Sequence, residues 1–493
     1  MHYYLSIDLG TMGIKTCLID EQGSIKATKS YEYAIKSEKH GEAVQDANEW
    51  WKGLQKGLSA IKKEWENEME QIAALSICGQ MHTHVYLDGH NELLSDAITW
   101  LDQRGDKVIQ EWKQTGDYER LFEQTANFPT TSYSAPSIIR IQEENPEMYH
   151  KTKKILLAKD YIKYRLTGEM VTDPSDASGT LLYDVEGLKW SQDAFNLLHI
   201  NPDLFPEVAP STAIIGRVSQ KASAETGLKQ GIPVINGGSD HAVAEIGSGL
   251  FESGSVSVIV GTAGVVASCS DQPKKDAKRR IICWAYPLEG KWDLLGITQT
   301  AASSLTWFRN TFDSDSDGEI FKEYSQIASQ VQPGAEGLIF LPYLLGERTP
   351  YWDSKARGVY FGLSMNHKKA HLVRAIMEGV VFSLRNCMDV FEELGIAITS
   401  IKTLGGGSKS PVWRQIEASA FNKPIYTLEA EEPSAIGNLI LAALGTGYIK
   451  DIQEAKRFIT ATEREQPLPS ENDIYNRQYD KFLALYEKIK EMY

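Results

Sequence analysis

Two Gly-Thr turns set some 250 residues apart are the part of this chain whose chemistry is most legible. Residues 5–19 read Leu-Ser-Ile-Asp-Leu-Gly-Thr-Met-Gly-Ile-Lys-Thr-Cys-Leu-Ile, and residues 256–266 read Val-Ser-Val-Ile-Val-Gly-Thr-Ala-Gly-Val-Val. Each is an apolar run, a Gly-Thr pair, a second glycine and a return to apolar residues. That is the pattern of a β-hairpin whose tight turn offers backbone N–H groups and a threonine hydroxyl to an anion. Glycine suits such a turn because it accepts φ > 0 and lets a phosphate approach the main chain. Two copies point to a duplicated domain that grips a polyphosphate from both sides.

The residues around these turns extend the chemistry. Asp8 stands just before the first turn. A carboxylate there repels a nucleotide unless a cation lies between, which implies Mg2+, held through water; the alternative is a strand-end aspartate satisfying turn amides. Gly10, Thr11 and Lys15 would serve the β- and γ-phosphates, unless Lys15 is a solvated strand residue. Asp240 follows Gly237-Gly238-Ser239 at the end of a buried strand, 232–236. It is placed either to act as a general base or to cap a helix beginning at His241, and the residues leave both open. Gly405, Gly406 and Gly407 follow a strand at 401–404 and precede a helix from Pro411. They allow close approach of a ring or ribose phosphate, or simply form a loop. Gln80, Met81 and His82 lie on the turn after a buried strand at 71–78, the usual place for ligand residues in α/β sheets. Trp100 and Asp102, in Trp-Leu-Asp-Gln-Arg, would give an apolar wall and a polar group, with Tyr133 as a further wall. Arg104 could instead hold Asp102 by a charge-assisted bond.

Positioning these groups takes two domains. A chain of 493 residues exceeds one ordinary core, and the simplest division lies within 247–254, giving domains 1–248 and 249–493. Strands at 3–9, 14–20 and 23–33, a helix near 46–65 opened by Asp46, and hairpins at 254–267 and 281–297 make the class α/β with two similar halves. Residues 105–230 read as a helix-rich insertion. The net charge of −15 argues against a nucleic-acid partner. No run of 18 apolar residues reaches across a membrane, and no basic-then-apolar leader opens the chain, so the expected place is the cytoplasm. The five cysteines are isolated, as in reduced core thiols.

Further phrases make the chain resemble the FGGY carbohydrate kinases of the actin-like ATPase group. They are Gly358-Val-Tyr-Phe-Gly362-Leu363, then, seven residues on, His371-Leu372-Val-Arg-Ala375-Ile376-Met377-Glu378; Gly79-Gln80-Met81-His82; Lys159-Asp160-Tyr161; Ser175–Thr180; and Gly346–Pro350. The last four resemble the xylulokinase branch most, and gluconate kinases share several of them, with a pair like Trp352-Asp353. The resemblance implies two actin-like (ribonuclease H-like) domains with a nucleotide and sugar cleft between them. It implies transfer of the γ-phosphoryl group of ATP to a sugar hydroxyl, D-xylulose first, with Asp240 as base and as a sugar contact beside Gln80, Met81, His82, Trp100 and Asp102. It assigns Gly261 and Thr262 to the phosphates of ATP, Gly405–Gly407 to adenosine and Asp8 to Mg2+. A homodimer is carried as an expectation. Met12, Thr83, Leu101 and His241 depart from the family pattern, as do Ser137 and Arg140. Other acceptors are therefore gluconate or another pentulose or polyol. A non-kinase actin-like ATPase and a catalytically silent sugar sensor are the alternatives outside sugar kinases.

Overall fold

The computed structural model describes residues 2–314, 316, 319–428 and 432–493. From the N-terminus run strands Tyr3–Leu9 (β1), Gly13–Asp20 (β2) and Ile25–Glu32 (β3), helix Ala47–Glu64 (α1) and strand Ile72–Gly79 (β4). Helices Ala158–Thr167 (α2) and Pro174–Ser178 (α3) precede strands Ile214–Arg217 (β5) and Pro233–Ser239 (β6) and helix Asp240–Gly247 (α4). Then come Ser255–Val260 (β7), Gly264–Ser270 (β8), Trp292–Thr298 (β9), helices Ala302–Phe312 (α5) and Lys369–Glu393 (α6), and Ser400–Leu404 (β10). Helix Pro411–Phe421 (α7), Ile425–Leu428 (β11), helix Pro433–Gly445 (α8) and Ala461–Glu465 (β12) follow.

Packing divides the chain into two units that are not consecutive halves. Unit 1 is Met1–Phe251, Cys283–Trp292 and Ala430–Ile459; unit 2 is Glu252–Ile282, Asp293–Glu429 and Thr460–Tyr493. A single cut at 248/249 therefore leaves out two later segments that pack with unit 1.

In unit 1 the strand order is β5-β6-β4-β1-β2-β3. β1 pairs antiparallel with β2 and parallel with β4, and β4 pairs parallel with β6. In unit 2 the strands run β9-β8-β7-β10-β11-β12, with β7 antiparallel to β8 and parallel to β10, and β10 parallel to β11. The two units repeat one plan: a hairpin whose first strand also starts a parallel series. Strand β1 is buried along nearly its whole length because the core under α1 covers one face and α8 packs on the other. Trp50, Leu54, Leu58 and Ile61 of α1 share one core with Leu5, Ile7, Leu18 and Leu75. Asp46 caps α1, its side chain accepting the Asn48 N–H at 2.9 Å. All five cysteines are buried thiols outside any disulfide. Among the described residues, no helix is long and apolar enough to cross a membrane.

Candidate active site

The first hairpin turn is clamped from behind. Tyr33 donates its hydroxyl to the Gly10 carbonyl, and Gln45 Nε2 donates to Thr11 O at 2.6 Å. Trp100 Nε1 donates to Thr11 Oγ1 at 2.9 Å, so that oxygen is an acceptor here and its own proton is free to point at an anion. The glycines have a different cause from the one expected. Neither Gly10 nor Gly13 has positive φ. A Cβ on Gly13 would lie 2.7 Å from Tyr31 O on β3, so close strand approach, not φ, excludes a side chain there. Strand register sets Asp8 opposite both Lys15 and Cys78. Lys15 Nζ is 2.5 Å from Glu432 Oε2, so this lysine is ion-paired, not simply solvated. Burial raises the Asp8 carboxyl above the usual range, against a hydrogen bond from Ser434 and the charge of Lys15.

Asp240 opens α4 and is its first helical residue, so it does not cap a helix starting at His241. Its Oδ1 accepts the His241 N–H at 2.8 Å. The strand before it is bulged between Ile235 and Gly238. Gly237 there has φ +74°, and a Cβ would meet Ile77 O at 1.7 Å; both facts demand glycine. Burial pushes the Asp240 carboxyl up to about 7, and the negative charge of Asp8 adds to the rise. Its turn is fixed by Ser175 of α3, whose Oγ accepts the Ser239 N–H at 3.0 Å and donates to Asp173 Oδ2 at 2.5 Å. Asp173 belongs to a fully buried ion cluster. Lys159 Nζ lies 2.8 Å from Asp160, Asp173 and Asp176, and Lys163 Nζ lies 2.9 Å from Asp160. Burial opposes the Lys159 charge, but the three carboxylates outweigh it and hold its pKa well above normal.

The expected sugar residues meet in unit 1, in two roles. His82 has φ +66°, and its Nδ1 lies 2.7 Å from Gly179 O. A carbonyl accepts only, so Nδ1 carries the proton and Nε2 keeps a lone pair for a hydroxyl. Burial lowers the His82 pKa to about 4, so the ring is neutral. Its edge meets Tyr133 at 5.0 Å and Trp284 at 5.6 Å between centroids, and Trp284 Nε1 donates to Tyr133 OH at 3.2 Å. Met81 is buried beside His82. Gln80 is committed inward: its Nε2 donates to Gln45 Oε1 at 2.9 Å, and its Oε1 accepts from Thr83 Oγ1 at 3.0 Å. Asp102 is fully buried, accepting the Ala43 N–H at 3.0 Å and pairing with Arg104 at 2.7 Å. Trp100 is half-buried between Thr83 and Thr11, to which its two N–H groups donate.

In unit 2 the second hairpin is gripped by α5. Ala301 and Ala302 donate their N–H groups to Thr262 O at 2.9 Å and Gly261 O at 2.8 Å. Here too the second glycine answers crowding: a Cβ on Gly264 would sit 2.5 Å from Thr298 Cγ2. Gly405 has φ +84° and backs onto Val260 O, and Gly407 backs onto the Val260 side chain. A Cβ on Gly406 would meet nothing within 4 Å, so the three glycines close on β7 and leave one open face. Arg414 steadies this loop, donating to Ser408 O at 2.7 Å and gripping Glu465 at 2.8 and 2.9 Å.

Residues 3–247 match the N-terminal domain, and residues 256–446 the C-terminal domain, of the FGGY family of carbohydrate kinases. The chain belongs to this family. As an FGGY kinase it is an ATP-dependent sugar kinase, which sets aside a non-kinase actin-like ATPase. It is 33% identical to a xylulose kinase of Bacillus subtilis (strain 168), covering 100% of this chain and 98% of that protein. It is 29% identical to a gluconokinase of the same organism, covering 100% and 97%. The solved structure of a ligand-bound xylulose kinase from Lactobacillus acidophilus superposes with a TM-score of 0.93 at 28% identity, covering 99% of both chains.

Three residues at this FGGY site carry no local sequence signal. Trp284 comes from the segment Cys283–Trp292 that rejoins unit 1, and Glu432 and Ser434 come from the start of α8. Nothing in their neighbours' spacing marks them. The Lys159 cluster did have a signal, the Lys-Asp-Tyr and Ser-Asp-Ala-Ser phrases, but its five charges come together only in space.

Proposed function

We propose that this kinase transfers the γ-phosphoryl group of ATP to the terminal primary hydroxyl of D-xylulose, giving D-xylulose 5-phosphate and ADP. The observation that carries this is Asp240, a carboxyl at the head of a helix whose pKa of about 7 suits a base working near neutrality. Asp240 accepts the hydroxyl proton as the sugar oxygen bonds to the γ-phosphorus, and the bond from that phosphorus to the β–γ bridging oxygen breaks with its electrons leaving on ADP. His82 Nε2 accepts from a sugar hydroxyl, and Tyr133, Trp284 and Trp100 form the apolar walls. Met81 lines the same pocket. Gln80 and Asp102 act mainly by fixing the turn and Trp100, since their hydrogen bonds are already made within the protein.

Residues 1–248, joined by Trp284 from the later segment Cys283–Trp292, supply the sugar site, and residues 1–248 supply the base and the first phosphate turn. Gly10, Thr11 and Lys15 hold the β- and γ-phosphates, while residues 249–493 supply Gly261 and Thr262 for the phosphate chain and Gly405–Gly407 for adenosine. Mg2+ fits at Asp8. The buried carboxyls of Asp8 and Asp240 repel each other, and hard oxygen donors are what this cation prefers. Bound there, it would neutralise charge on the phosphate oxygens. The proposed setting is the cytoplasm, in keeping with five cysteines outside any disulfide, and the proposed assembly is a homodimer.

Gluconate is the second reading, favoured by the gluconokinase relative; Leu101 and His241 are two departures from the xylulokinase pattern that leave the acceptor open. The third departure, Thr83, spends its hydroxyl on Gln80 and Trp100. ADP release measured over D-xylulose, L-xylulose, D-ribulose, gluconate and glycerol decides between them. D-Xylulose should give the highest kcat/KM. A higher value for gluconate would transfer the assignment, and sugar binding without any ADP release would leave a silent sensor.

A further inference from the structure

Lys15 meets a carboxylate where the proposed function places a phosphate. Glu432 precedes α8, and its side chain makes no cap bond to that helix. It reaches instead to Lys15 Nζ at 2.5 Å, with side-chain exposures of 35% for Lys15 and 26% for Glu432. The helix that carries it is not free to wander. Asn438 donates to Ser6 Oγ at 3.0 Å, Ile7 O at 3.3 Å and Cys78 Sγ at 3.2 Å, and accepts from Ser76 Oγ at 2.9 Å. At the crossing with α4, a Cβ on Gly437 would lie 1.9 Å from Val243 O, and one on Gly247 would lie 1.8 Å from Pro433 O. Two residues beyond Glu432, Ser434 bonds Asp8. The carboxylate is thus delivered to the lysine by a helix anchored on the same strands as Asp8.

We propose that Glu432 is a positioning residue for the nucleotide. Its carboxylate holds Lys15 extended in the place of a phosphate oxygen, and a triphosphate binds by exchanging with it. This rests on the assignment of Lys15 to phosphate. The exchange makes the grip on ATP weaker than the lysine alone would give, because the ion pair must open and a displaced carboxylate repels the phosphates. It also tempers hydrolysis of ATP when no sugar is bound.

The test is calorimetric binding of the non-hydrolysable analogue AMP-PNP with Mg2+, without sugar, to the full-length wild type, Glu432→Gln, Lys15→Met and the double variant, with melting temperatures alongside. A partly exposed pair predicts that Glu432→Gln binds about two- to fivefold tighter. It also predicts a lower KM for ATP with little change in kcat, and faster ADP release without sugar. In the Lys15→Met background the Glu432→Gln gain should be clearly smaller, because no ion pair has to open and only the repulsion is relieved. Glu432→Asp, one methylene shorter, should shift binding in the same direction and serves if the glutamine variant does not fold. Unchanged or weaker binding in a folded variant, or an equal gain without Lys15, overturns the proposal. Failure of the sugar assignment would appear separately, as no phosphorylation across the acceptor panel with nucleotide binding intact.

Discussion

Replacing Asp240 by asparagine should make this kinase more stable and almost inactive. The carboxyl has a pKa of about 7 in the fold, against an ordinary 3.8, because burial and Asp8 disfavour its charge. Below the ordinary value it is protonated whether folded or unfolded and costs nothing. Between the two values the unfolded chain is ionised and the fold resists ionisation, so stability is lost as pH rises, and above about 7 the loss is complete. Three units at about 1.4 kcal/mol each set an upper bound of about 4 kcal/mol. The residue is partly accessible, and solvent screening reduces this to about 1–2 kcal/mol. An asparagine side chain keeps the shape without the charge, so Asp240→Asn should melt about 1–3 °C higher at pH 8. The gain at pH 5.5 should be about half that at pH 8. Sugar-dependent ADP release should fall by about 10²–10⁴. For the wild type, kcat/KM should drop about tenfold per unit below pH 7. Activity of the variant within tenfold of wild type would remove Asp240 as the base. A thermal gain of the same size at both pH values, or a loss, would refute the account of its environment.

Trp284→Ala should raise KM for the sugar severalfold and leave KM for ATP unchanged, since Trp284 touches His82 and Tyr133; steady-state kinetics with each substrate varied reads this. Lys159→Met leaves three buried aspartates without their shared cation and should cost about 3–5 kcal/mol in denaturant unfolding, with soluble yield falling accordingly. Leu101→Asn combined with His241→Asn should raise turnover of D-xylulose relative to the other acceptors, and an unchanged ranking would show that these positions do not set specificity. Because burial holds His82 neutral, KM for the sugar should be flat from pH 5.5 to 8; a rise below pH 6.5 would contradict the tautomer assigned to it.

The repeated hairpin was legible because both its copies are mostly apolar strands flanking a turn of few residues. Asp8 and Lys15 could be placed on it, and Asp240 at the end of its own buried strand, from order alone. The causes were less legible than the positions. Gly13 and Gly264 are glycine because neighbouring atoms crowd them, not because of φ, and crowding is a property of residues distant in sequence. Asp102 and Gln80 show the same limit. Their polar types and their place after a strand mark a site, but only the fold reveals that Arg104, Ala43, Gln45 and Thr83 already occupy them. Trp284, Glu432 and Ser434 reach unit 1 by returns of the chain that leave no trace in local periodicity.

Those returns bear on how the protein is made. Unit 1 takes residues up to Phe251 and then needs α8 from the segment Ala430–Ile459, whose Asn438 ties together β1 and β4. On a ribosome adding about 5–20 residues per second, that separation is a wait of about 10–35 s. During it α1 already covers one face of the strands that carry Asp8 and Cys78, while the face that α8 packs on has no covering helix. The nascent N-terminal part, although it holds nearly every residue proposed for the sugar, is then an incomplete body with an apolar sheet face awaiting its lid. Exposure to chaperones and proteases is greatest in that interval, and a chain interrupted before residue 430 would never leave it.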